Sequence, residues 1–167
     1  RIARGLGLSV HLSVQANISN LETVRFYSQF ADVVVLAREL TLEQISRICS
    51  GIREERICGP SGELVKVEIF IHGALCVAVS GKCYMSLAAY NSSANRGACF
   101  QNCRRSYTVR DTETGTEFEI DNQYVMSPRD LCTLEFFDRI LASGVSVLKI
   151  EGRGRSADYV AHVVRTY

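Results

Sequence analysis

The 167-residue sequence predicts an α/β fold: part of a TIM-like (β/α) barrel carrying a cysteine-rich loop and a β-hairpin insertion. Three observations predict it. Short β-branched runs alternate with stretches of helical period, and the runs are predominantly apolar, as parallel strands covered on both faces are. The rhythm then breaks once, over residues 76–126, where cysteines and small polar residues replace it.

Taken in order, RIARGLGL reads as the tail of a helix feeding a strand, as it would if the chain began inside a domain. LSVHLSV predicts a strand near 8–13, and Asn20 an N-cap for a helix through NLETVRFYSQF. DVVVLA predicts a strand near 32–37. Thr41, with Glu43 and Gln44 in the next turn, starts the helix TLEQISRICSGI, and VKVEIFIHG gives a strand near 66–71. Inside the interruption, RSYTVRDTETGTEFEID predicts a hairpin turning about Gly115. SPRDLCTLEFFDRILASG then predicts a helix capped by Ser127, opened by Pro128 and stopped by Gly144, with Cys132 on it. VSVLKI is a strand near 145–150 and SADYVAHVVRTY a terminal amphipathic helix.

Four parallel strands are too few for an eight-stranded barrel, so a half-barrel is expected. Its two open edges call for a homodimer or a missing N-terminal half of the barrel. Residues 1–167 are expected to form one domain: βα units over 1–75, the cysteine-rich insertion over 76–126, and a final helix–strand–helix over 127–167.

Composition narrows the function classes. With 47% hydrophobic and 22% charged residues the chain is neither disordered nor fibrous, and a net charge of +1 gives no global field for nucleic acid. A local basic patch stays open. No apolar run approaches the roughly 20 residues that span a bilayer. No cationic leader opens the chain, so a cytoplasmic protein is expected. Seven cysteines are many for such a protein, and five of them fall between Cys76 and Cys132; in a reducing compartment that clustering points to metal before disulfides.

In a barrel the residues that follow each strand build the site. That rule selects Ser13, Gln15 and Asn17, then Arg38 and Glu39, then His72 and Gly73, then Glu151, Gly152 and Arg153. The charges among them either pair with one another or bind substrate. His11 falls in a strand and His162 in the last helix, which leaves His72 with Cys76 as the one nucleophile–base pair a peptidase could use; no GxSxG or HExxH motif is present.

The segments IFIHGALCVAVSGKC, NRGACFQNCRRSY, YVMSPRDLC and VLKIEGRGRSADYVA together closely resemble the peptidase U32 family, including its collagenase-like members. The resemblance implies a TIM-barrel-like catalytic domain and an activity of peptidase type. It also covers relatives that hydroxylate tRNA, ribosomal RNA or ubiquinone precursors without oxygen. Those relatives imply a [4Fe–4S] cluster on Cys76, Cys83, Cys99 and a fourth thiolate, either Cys103 or Cys132. Cys132 is preferred because its place in YVMSPRDLC matches the hydroxylase-like members. RNA or a small aromatic molecule is then the expected substrate, with a peptide as the alternative.

Zinc is the alternative metal, since four thiolates also suit a closed tetrahedral site and a zinc-stabilised, non-catalytic binding domain. The CxxC pairs of a zinc ribbon are absent, however. Cys49 and Cys58 are read as structural thiols. Arg96, Arg104 and Arg105 could hold phosphate, with Tyr107 or Phe100 stacking on a base, or could neutralise an anionic cluster.

Overall fold

The computed structural model describes residues 2–120, 126 and 129–167. In chain order these form α1 (Ile2–Gly5), β1 (His11–Leu12), α2 (Leu21–Ser28), β2 (Val33–Val35), α3 (Leu42–Glu54), β3 (Lys66–Gly73), α4 (Met85–Tyr90), β4 (Tyr107–Arg110), β5 (Glu117–Ile120), β6 (Leu131–Cys132), α5 (Phe137–Ala142), β7 (Val147–Glu151) and α6 (Ala157–Thr166). They make two compact units, one of Arg1–Gly73 with Leu131–Tyr167 and one of Ala74–Asp130.

The first unit is a mixed α/β layer. β1, β2, β3 and β7 are parallel neighbours in that order, each at a place where a β-branched run predicts a strand. The sheet is open, and a closed TIM barrel is not what these strands make. Helix starts follow the side chains that cap them. Asn20 accepts from the Thr23 amide at 2.8 Å, and Thr41 and Gln44 bond each other's backbone amides in a reciprocal capping box. Gly144, at φ +89°, follows the end of α5 as expected.

One element departs from expectation. Leu131 and Cys132 form β6, antiparallel to His72 and Gly73, and α5 begins only at Phe137. The physical reason is tertiary: β3 offers open ladder groups at His72 and Gly73, and pairing them outweighs the helical period of the local sequence. The predicted cap, Ser127 with Pro128, lies outside the described residues.

The core sits on one face of the sheet. Val34, Leu36, Val67, Ile69 and Ile71 pack with Val24 of α2, Ile45, Ile48, Cys49 and Ile52 of α3, and Ile140 of α5. Apolar burial at about 25 cal/mol per Å² is what holds these helices to the strands. Register puts Val33, Val35, Glu68, Phe70 and Lys149 on the other face.

The second unit has a short helix, α4, two 3-10 turns at Ala94–Arg96 and Asn102–Arg104, and the antiparallel hairpin β4–β5 predicted about Gly115. The Asp111 carboxylate, bonded by the Thr114 and Glu113 amides, is held below the usual carboxylate range and fixes the turn.

Candidate functional site

The candidate residues fall into two groups, one in each unit. In the first unit the residues selected by sequence all lie at the carboxyl edge of the parallel strands, the edge at which α/β sheets bind ligands. Some of them serve the backbone. Ser13 accepts from the Gln15 amide at 3.2 Å, and Asn17 ends that turn at φ +50°. Arg38 and Glu39 occupy the turn after β2, half-buried and exposed respectively. Glu151 Oε1 accepts from the Arg153 amide at 2.7 Å, which closes the loop after β7. Gly73 is required where it stands: its φ is +100°, and a Cβ there would lie 2.2 Å from the Glu151 carbonyl oxygen.

His72 is turned by a bulge. The β3–β7 register passes from Phe70 opposite Lys149 to His72 opposite Ile150, leaving Ile71 as the extra residue. Ile71 packs in the core, and His72 reaches Tyr159 and Tyr167 at α6. Its Nδ1 lies 3.3 Å from the Tyr167 hydroxyl and its Nε2 3.1 Å from that of Tyr159. Both ring nitrogens are therefore engaged by phenols within its own unit.

Sequence reasoning missed the two tyrosines, and it missed a buried ion pair on the opposite face. Glu68, only 5% exposed, accepts from Lys149 Nζ at 2.7 Å, and His11 Nδ1 lies 3.6 Å from its other oxygen. Lys149 also sits 5.4 Å from the centre of the Phe70 ring. A carboxylate this buried needs such partners. The signal was available: one acid inside VEIFI and one lysine inside VLKIE, each interrupting an apolar strand.

Four of the candidate metal ligands, Cys76, Cys83, Cys99 and Cys103, belong to the second unit, and Cys132 stands on β6 in the first. Burial pushes the Cys103 thiol above its usual range, the neighbouring Cys76 and Cys99 thiols push it further, and Arg104 opposes them. Cys76 and Cys99 thus both lie near enough to Cys103 to act on its thiol. Among the described residues no three His, Cys, Asp or Glu side chains converge closely enough to hold a metal ion. Cysteine thiolates are the kind of donor that soft metals take. Beside Cys103, the buried Asn102 Oδ1 has no hydrogen-bond partner. From Ala74 to Tyr107 the chain carries Lys82, Arg96, Arg104 and Arg105 and no Asp or Glu. Arg105 lies over the Tyr90 ring, 5.1 Å from its centre, and Tyr90 meets Phe100 at the same centroid separation of 5.1 Å.

The two cysteines read as structural lie in the first unit. Cys49 is buried in α3, where burial raises its thiol, and Cys58 is exposed in the following loop.

Comparison with known proteins gives these features a context. Residues 2–167 match the model of peptidase family U32. The chain is 58% identical over 165 residues to a protein of Porphyromonas gingivalis named collagenase, covering 99% of this chain and 40% of that protein. It is 37% identical over 165 residues to tRNA hydroxylation protein P1 of Bacillus subtilis, covering 96% of this chain and 36% of the relative. Against the 23S rRNA 5-hydroxycytidine C2501 synthase of Escherichia coli it is 36% identical over 161 residues, which are 96% of this chain and 23% of the synthase. The chain thus spans less than half the length of these relatives. No solved structure matches it.

Proposed function

Because this chain belongs to peptidase family U32, we propose that it is part of an iron–sulfur-dependent enzyme that hydroxylates RNA, with a small aromatic molecule as the other substrate class. The observation that carries the reading is that Cys76 and Cys99 both lie near enough to Cys103 to act on its thiol. Burial first, and then Cys76 and Cys99, raise the Cys103 thiol, and a metal centre would relieve that by taking the thiolate charge. Cys83, half-buried in the same unit, completes a set of four. Cys103 is preferred to Cys132 as the fourth ligand because its thiol already feels two of the others.

A [4Fe–4S] centre held this way would supply electron transfer or bind an oxygen-bearing donor. The protein's own residues supply the rest. The acid-free stretch with Lys82, Arg96, Arg104 and Arg105 offsets negative charge, whether of a cluster or of RNA phosphates. Exposed Phe100 and Tyr90 present ring faces on which a base can stack. In the first unit, Arg38, Glu39, Glu151 and Arg153 would orient substrate at the carboxyl edge of the strands. Relatives named for tRNA and rRNA hydroxylation support this reading. It also carries the expectation of a cytoplasmic enzyme.

A second reading, a peptidase, is favoured by the relative named collagenase. It relies on Cys76 with His72, and both nitrogens of His72 are already engaged by Tyr159 and Tyr167. Nucleoside mass spectrometry of tRNA and rRNA from cells with and without the gene separates the two. The hydroxylase reading predicts a nucleoside that loses one oxygen when the gene is deleted and regains it with the wild-type copy but not with Cys76→Ala. Unchanged nucleosides, together with Cys76-dependent cleavage of gelatin by the purified protein, would reverse the order.

A further inference from the structure

The hydrogen bonds around Tyr167 fix more than a position. Its hydroxyl donates to the Ile71 carbonyl at 3.0 Å, a buried group displaced from the ladder by the bulge and able only to accept. The same oxygen accepts from the Thr133 amide at 3.1 Å and lies 3.3 Å from Thr133 Oγ1. A phenol has one proton, and here Ile71 receives it. His72 Nδ1 must then be the donor in its contact with Tyr167. In the neutral imidazole, which carries one N–H, Nε2 is then bare and takes the Tyr159 hydroxyl as its donor.

We propose that Tyr159 and His72 form a proton relay at the carboxyl edge of the sheet, with Tyr159 the catalytic residue and Tyr167 the positioning residue that sets the histidine tautomer. In the forward step the Tyr159 oxygen takes a proton from a substrate O–H or ring N–H as its own proton passes to His72 Nε2. One substrate O–H or N–H bond breaks and a new phenol O–H forms. The old phenol O–H breaks and an Nε2–H bond forms. The electron pair stays on the substrate atom, the positive charge on the imidazole, and no oxidant or reductant is consumed. The return of the proton restores both residues.

Three features suit the pair to this work. The Ser156 hydroxyl accepts from the Tyr159 amide at 3.2 Å, which anchors the phenol in the first turn of α6. The Arg155 guanidinium lies 5.1 Å from the centre of the Tyr159 ring, where its charge stabilises negative charge that develops on the phenol during transfer. Tyr159 and His72 are both half-buried, so the phenol keeps access to a ligand. The substrate class is one with a weakly acidic hydroxyl or ring N–H, such as a nucleobase. The assignment rests on the proposed function only in taking this edge to face substrate.

The test has two arms. Nitrogen NMR of histidine-labelled protein resolves His72 among three histidines. The relay predicts an Nδ1–H tautomer, an Nε2 resonance that moves in Tyr159→Phe, and a shift toward Nε2–H in Tyr167→Phe. An Nε2–H tautomer in the wild type overturns the inference whatever the substrate. The second arm measures turnover on bulk tRNA. Tyr159→Phe is expected to lower kcat by about 100-fold or more with KM little changed, the usual size of a proton-transfer contribution. A Tyr159→Phe protein with unaltered kcat also overturns it. A wild-type protein inactive on tRNA that shows the Nδ1–H tautomer and its dependence on Tyr159 and Tyr167 removes tRNA as the substrate and supports the tautomer on which the relay depends.

Discussion

Single residues in this chain answer to the strain or charge around them. At Gly73 a methyl group would meet the Glu151 carbonyl at 2.2 Å in a left-handed backbone. Gly73→Ala should therefore destabilise the first unit by about 2 kcal/mol or more, read as a fall in the urea midpoint. Lys149→Met leaves the buried Glu68 carboxylate with only His11 nearby. It should destabilise by about 3 kcal/mol, whereas Lys149→Met with Glu68→Leu should recover most of that loss. Equal stability of the single and double variants would show that the unpaired Glu68 carboxylate is not what costs the single variant its stability. Cys103 carries a chemical signature: with its thiol raised, little thiolate exists at neutral pH. In metal-free protein its alkylation by iodoacetamide should be slow at pH 7 and accelerate as pH rises past the ordinary thiol range of about 8.5. Fast alkylation at pH 7 would contradict the raised Cys103 thiol. Strand-end residues such as His72 and Glu151 were legible in the sequence because strand ends are. Tyr159 and Tyr167 were not, because their role comes from a bulge at Ile71 that no local pattern announces.

Elements show the same division. Helix starts at Asn20 and Thr41 are written in side chains that bond the first amides, so they are local and readable. Thr41→Ala removes one half of the capping box of α3 and should cost about 1 kcal/mol, measured by thermal or urea unfolding. The segment after the insertion was misread for the opposite reason. Leu131 and Cys132 take their conformation from the ladder groups of His72 and Gly73, residues distant in sequence, so a helix-compatible pattern gives way to two residues of strand. The hairpin of the second unit was readable because its turn is self-contained: Asp111 holds the amides of Glu113 and Thr114, and Gly115 takes the positive φ of +71°.

At the scale of the whole molecule, a parallel-sheet unit built from both ends of the chain is interrupted by a unit that carries most of the cysteines. Burial patterns made the four parallel strands and their order along the chain legible. The extent of the sheet was not, since β1 and β7 each end it with an edge whose neighbours no run of residues specifies. Among the described residues no helix is long and apolar enough to cross a membrane. The ligand set is the point at which function and architecture meet. Cys103→Ala should abolish the visible absorption of a bound centre while Cys132→Ala retains it; the reverse pattern would return Cys132 to the set. The most direct measurement is the iron and acid-labile sulfide content of protein purified without oxygen, read with its visible spectrum. The account predicts about four of each per chain and a brown protein. A colourless protein holding zinc, or no metal at all, would contradict it.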